Sequence, residues 1–210
     1  DISRDRRLDE LEFQLPVAAA ESSRVLPRGA QLALLFPGEL RADASLVPIG
    51  QLTAAKLAAV FADHPSAALA ADYAPRVAEL GFLPLEGFLK GYIDLVVCHR
   101  DRWYLADYKT NHLGQRLADY APDRLPAAMA HGHYYLQYHL YAVALHRYLG
   151  RRLAGYRYRD HFGGVYYLFL KGMTPTTAGR TGVFFERPPE ARIEALAELI
   201  ARPLRGWGER

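Results

Sequence analysis

The chain is poor in sulfur, with one cysteine and two methionines in 210 residues. A lone thiol, Cys98, cannot close an internal disulfide, and a four-cysteine iron–sulfur cluster is excluded; a reducing cytoplasm is the compartment that fits. No apolar run approaches the ~20 residues needed to cross a bilayer. No basic, then apolar, then small-residue opening reads as a secretory signal. A Gly-x-x-x-x-Gly-Lys phosphate loop is missing, so no ATPase motor is encoded in these residues. Internal repeats are missing too. Charge is not one-sided: 26 Lys and Arg face 23 Asp and Glu, a net charge of +3. The resulting pI of about 9.0 permits a nucleic-acid partner without requiring one.

Half the residues are hydrophobic and 23% are charged, as expected for a soluble globular domain with a substantial core. The most informative stretch is Gly91-Tyr92-Ile93-Asp94-Leu95-Val96-Val97, a polar tip at His99-Arg100-Asp101-Arg102, then Trp103-Tyr104-Leu105-Ala106-Asp107-Tyr108-Lys109. Two runs rich in Val, Ile, Tyr and Trp around a short polar tip predict a β-hairpin. Each run carries one Asp where a half-buried strand prefers an apolar side chain. Alternation puts Asp107 and Lys109 on one face. A hairpin closing near Arg100-Asp101 puts Asp94 almost opposite Asp107. Two carboxylates that close repel unless a proton or a cation lies between them. Oxygen-only ligands favour a hard divalent ion such as Mg²⁺.

Around the hairpin, Leu8 to Pro16 alternates charged and apolar residues and predicts a strand with Glu10 and Glu12 on one face. An apolar run over Leu32 to Phe36 could be a further strand. Helical spacing begins after Gly50-Gln51-Leu52-Thr53, and a weaker helix is expected over Ser66 to Ala74, between Pro65 and Pro75. Glu86 and Lys90 are expected at the hairpin's rim. A long helix is expected from about Pro126 to Leu149, with Gln137 and Tyr141 four apart on one face. His131, His133, His139 and His146 lie near or on it, yet no Cys or close acid completes a zinc site. Its tyrosines read as core and rim. Gly163 to Leu170 predicts a buried strand, Gly182 to Phe185 a short edge strand, and Pro188 to Leu199 a final helix. Residues 202–210 read as a loose basic tail.

Gly-Tyr-Ile-Asp-Leu followed by Ala-Asp-Tyr-Lys-Thr-Asn resembles the Asp…Asp-x-Lys core of the PD-(D/E)XK nuclease superfamily. Leu105 to Gly114, Tyr135 to Tyr148 and His161 to Met173 are similar to the RecB-type C-terminal nuclease domains of bacterial helicase–nucleases. The resemblance runs from Glu10 onward and is weakest between about Ser22 and Ala78. It implies one α/β domain over 1–210, a restriction-endonuclease-like mixed β-sheet flanked by helices, cut from a larger subunit. It implies a Mg²⁺-dependent exodeoxyribonuclease in double-strand-break repair, with Mn²⁺ or Ca²⁺ as alternative ions. Its metal ligands would be Asp94, Asp107, the main-chain carbonyl of Tyr108, and Glu10 directly or through water. Lys109 would join Asp94, Asp107 and Glu10 in catalysis. Gln137 and Tyr141 would border the site and position the DNA backbone. The partners implied are single-stranded DNA or unwound ends, the helicase part of the same subunit, and RecC- and RecD-like subunits. Full domains of this type carry a further His ligand upstream of the Glu strand, which these residues do not include. An AddA-type nuclease domain, or a catalytically silent fold that docks DNA or subunits, fits the same residues.

Overall fold

The computed structural model describes residues 7–17, 52–81, 87–175 and 181–201. The expected strand at Leu32 to Phe36, Glu86 and the tail lie outside the described residues. Among the described residues five strands form one sheet in the order β1-β2-β3-β4-β5. They are β1 (Arg7–Val17), β2 (Gly87–His99), β3 (Arg102–Lys109), β4 (Phe162–Phe169) and β5 (Val183–Glu186). Every neighbouring pair is antiparallel except β3 and β4, which run parallel, so the sheet is mixed. The helices are α1 (Ala54–Asp63), α2 (Tyr73–Ala78), α3 (Leu125–His131), α4 (Tyr134–Arg152), α5 (Tyr158–His161) and α6 (Glu190–Ala201). No described helix is long and apolar enough to cross a membrane.

The expected hairpin is β2–β3, and its tip is tight. Arg100 and Asp101 have φ of 50° and 61°, the left-handed pair that a two-residue turn needs to match strand twist. Rungs run from His99–Arg102 to Leu95–Ala106, so the next positions on the two strands are Asp94 and Asp107. β1 pairs with the other edge of β2, and its ladder skips one rung, at Glu10. Glu10 has φ 54°, a left-handed residue inside a strand. Ile93 and Val96 are both fully buried although strict alternation would send them to opposite faces. The sheet is buried on both faces here, and the kink lies in β1 at Glu10, opposite Asp94. Beyond the kink Phe13 lies across from Gly91, where a Cβ would come within 2.6 Å of the Phe13 ring.

The expected helix over Pro126 to Leu149 is two helices. Gly132 ends α3, and His133 (φ 51°) turns left-handed before α4 starts. No side chain caps α4, but the hydroxyl of Tyr73 on α2 accepts the first-turn N–H of Leu136 at 2.9 Å. The helix expected over Ser66 to Ala74 is displaced to Tyr73–Ala78. Pro75 falls in its first turn, where a missing N–H breaks no helical bond. Thr53 caps α1, accepting from the Lys56 N–H at 3.3 Å.

α4 is buried along most of its length, including Tyr135, Tyr138, Leu140 and Val143. A polar cluster pins it to β5 and α6. Arg192 and Glu186 pair at 3.6 Å, Tyr138 donates to Glu186, and Ser66 donates to Glu186 at 2.6 Å. Arg192 donates to His139 Nε2 at 3.0 Å and to the His64 carbonyl at 2.7 Å. His139 Nδ1 lies 2.7 Å from the Tyr135 carbonyl, which assigns its proton to Nδ1. Burial and the Arg192 charge hold His139 neutral, well below the usual histidine range.

Candidate active site

The hairpin and α4 bring five of the expected residues together. Asp94 accepts the Tyr108 backbone N–H at 3.0 Å, which ties its carboxylate across the hairpin. Asp107 is 4% exposed. Lys109, two residues on and on the same face, brings Nζ to 2.5 Å from Asp107 Oδ2. The ammonium is thus the counter-charge of a carboxylate shut away from solvent. Lys109 also donates to Gln137 Oε1 at 2.9 Å. Tyr141, one turn along α4, is buried beside both carboxylates, and burial followed by the Asp107 and Asp94 charges pushes its hydroxyl far up.

Burial pushes the Asp107 carboxyl from 3.8 up to about 6; the Lys109 charge and contact oppose this, and the Asp94 charge adds to it. A carboxylate kept dry beside another carboxylate is held in an unfavourable state. A cation relieves it. The donors are all oxygen, one acid is buried beside the other, and two carboxylates suffice for an ion that keeps several waters. The residues therefore fit a hard divalent metal.

Glu10 occupies the skipped rung opposite Asp94, exposed, in its left-handed conformation. Among the described residues no three of His, Cys, Asp or Glu converge into a metal cluster, so Glu10 does not complete a three-acid set here. Glu12, next but one, pairs with Lys90 at 2.8 Å.

Two tyrosines complete the site that sequence reasoning missed. Lys109 Nζ lies 4.3 Å from the Tyr134 ring centre and 5.0 Å from that of Tyr167, a cation held against two aromatic faces. The Tyr167 hydroxyl donates to Gln137 Oε1 at 2.7 Å, so one amide oxygen is fixed by both tyrosine and lysine. Tyr134 donates to Asn111 Oδ1 at 3.0 Å, linking α4 to the chain leaving β3. Tyr134 is three residues before Gln137 and so shares its helix face, a signal the sequence carried. Tyr167 is the parallel neighbour of Asp107, visible only once β3 and β4 are paired.

A mixed sheet with opposed aspartates on a hairpin, a lysine two residues after the second, and a helix presenting Gln137 and Tyr141 to them define a nuclease fold. The chain belongs to the PD-(D/E)XK nuclease superfamily, whose family model matches residues 8–208. It is similar to the RecBCD enzyme subunit RecB of Mycobacterium tuberculosis, 42% identical over 204 residues, 93% of this chain and 17% of that protein. The RecBCD enzyme subunit RecB of Mycolicibacterium smegmatis is 39% identical over 206 residues, 92% of this chain and 17% of that one. For that of Escherichia coli the identity is 46% over 122 residues, 58% of this chain and 10% of the relative. The chain thus spans about a sixth or less of the length of these relatives.

Proposed function

We propose that this chain is a Mg²⁺-dependent exodeoxyribonuclease domain that hydrolyses the phosphodiesters of single-stranded or unwound DNA ends. It would work within a RecBCD-type helicase–nuclease, beside the helicase part of its own subunit and RecC- and RecD-like subunits, in double-strand-break repair. The observation that carries this reading is the buried Asp107 beside Asp94, with Lys109 fixed against it by Gln137 and two tyrosine rings. Similarity to RecB subunits supports the cellular setting.

In this reading Asp94, Asp107 and the Tyr108 carbonyl hold the ion, and Glu10 assists directly or through water. A bound Mg²⁺ supplies Lewis-acid polarisation of the phosphate and a water of lowered pKa. Lys109 turns its ammonium toward the reaction centre, where it orients the attacking water and offsets charge growing on the phosphoryl oxygens. The Tyr134 and Tyr167 rings and the Gln137 oxygen remove the freedom of a four-carbon side chain, so that little ordering is left for the transition state. Tyr141 walls the acids off from bulk water and, with Gln137, borders the DNA backbone.

The test is release of nucleotides from single-stranded DNA by the full chain. Cleavage that needs Mg²⁺, stops in EDTA and is lost in Asp94→Asn supports the reading. Cleavage that survives Asp94→Asn removes it.

A further inference from the structure

Along α4 beyond Tyr141 the helix turns basic: Arg147, Arg151 and Arg152, with Tyr148 among them. A groove of about 300 Å³ runs between this part of the helix and β1. That volume is at the lower end of those that hold a small ligand. Leu11, Phe13 and Ala144 contribute its apolar wall, and the three arginines and Tyr148 the other. It neighbours the active site along the same helix: the Phe13 ring that lines it packs edge-on against Tyr141 at 5.5 Å.

Arginines at a helix C-terminus ordinarily serve the helix dipole, and Arg151 and Arg152 in the last turn do. Arg147 is different. It sits a turn deeper and half-buried, and its Nη1 is shut away from solvent with no hydrogen bond. Among the described residues none of the three arginines forms an ion pair, and Arg151 adds like charge beside Arg147. The one acid in the groove wall, Glu12, is tied to Lys90 at 2.8 Å. A half-buried guanidinium with one nitrogen shut from solvent and no counter-charge asks for an anion. Arg152 lies over the Tyr148 ring at 5.8 Å, and that ring is 36% exposed. Aromatic faces beside a positive groove suit unpaired bases rather than a stacked duplex. At 1.5 Å per residue, Arg147 and Arg151 stand about 9 and about 15 Å along the helix from Tyr141.

We propose that this groove binds the backbone of single-stranded nucleic acid a few nucleotides away from the reacting phosphate, with Arg147, Arg151 and Arg152 on successive phosphates and Tyr148 under a base. The direction of the strand relative to the site rests on the nuclease reading above; the binding itself does not. The strand that enters the active site is thereby held before and after each cut.

Binding is measured with the full chain in EDTA, where no cleavage occurs, by anisotropy of labelled oligothymidylates of about four and about sixteen nucleotides. Arg147→Gln, and Arg151→Gln combined with Arg152→Gln, are expected to weaken the long oligomer on the order of ten-fold. The short one is unaffected. Each lost phosphate contact makes the fall of log affinity with log salt shallower by about 0.7. Arg151 and Arg152 are exposed, so their double variant folds even if Arg147→Gln does not. Unchanged affinity and slope for the long oligomer would overturn the proposal. So would displacement of the oligomer by poly-glutamate at equal charge, which would make the groove a seat for an acidic protein. A chain that binds this way in EDTA but never cleaves in Mg²⁺ refutes the nuclease reading and leaves the groove standing.

Discussion

Consider replacing Asp107 by asparagine in metal-free buffer. Burial, opposed by Lys109 and assisted by Asp94, raises the Asp107 carboxyl from 3.8 to about 6. The folded chain therefore holds that proton more tightly than the unfolded chain. Its contribution to stability is fully present below about pH 4 and is lost as pH rises through about 6. Above that, the charged carboxylate disfavours the fold by about 3 kcal/mol, an upper figure for a group this buried. Asparagine keeps the shape and carries no charge. At about pH 8 in EDTA, Asp107→Asn should be more stable than wild type by up to about 3 kcal/mol, a rise of about 6–12 °C in Tm for a chain of this length. At about pH 4 the two should coincide. Urea unfolding at both pH values reads the difference. Added Mg²⁺ should stabilise wild type by mass action and leave the variant where it was. An asparagine variant less stable than wild type at about pH 8, or equally improved at both pH values, would refute the reasoning.

Lys109→Met should lower cleavage by about 10²-fold or more. It should also move the Asp107 titration further up, because Lys109 holds that carboxyl down; a pH–stability midpoint that stays put contradicts the pairing. Tyr134→Leu removes the aromatic face 4.3 Å from Lys109 Nζ. At about 0.5–2 kcal/mol for such a contact, cleavage should fall about two- to thirty-fold with KM little changed; an unaltered kcat would deny Tyr134 a positioning role. His139 stays neutral in the folded chain, while in the unfolded chain it takes a proton near 6.5. Stability should therefore drop as pH falls below about 6.5, and His139→Asn should flatten that slope by about one proton's worth. An identical slope in the variant would place the acid sensitivity elsewhere.

The hairpin is legible in the sequence because its Val, Ile and Tyr alternate around two misplaced acids, and strand pairing then sets Asp94 across from Asp107. Helical spacing of four residues puts Gln137 and Tyr141 on one face wherever the helix begins, but only the family resemblance pointed that face at the acids. The break at Gly132 and His133 is not. It depends on a histidine accepting left-handed backbone, which no periodicity reports. The displacement of α2 has a similar cause: a proline ends one helix and starts another, and only packing of Tyr73 against α4 decides which. Glu10 is placed opposite Asp94 by register, but the left-handed turn at that residue is a property of the kinked sheet. Tyr167 lies beyond sequence reasoning because it meets Asp107 through a parallel pairing some sixty residues away along the chain.

The central claim is that a cation held between Asp94 and Asp107, with Lys109 beside it, drives phosphodiester hydrolysis. It is tested most directly by time courses of single-stranded DNA degradation in Mg²⁺ by wild type and Asp107→Asn at equal concentration, both confirmed folded. Wild-type degradation with none above background for the folded variant is the predicted result. Degradation by Asp107→Asn at the wild-type rate would contradict it.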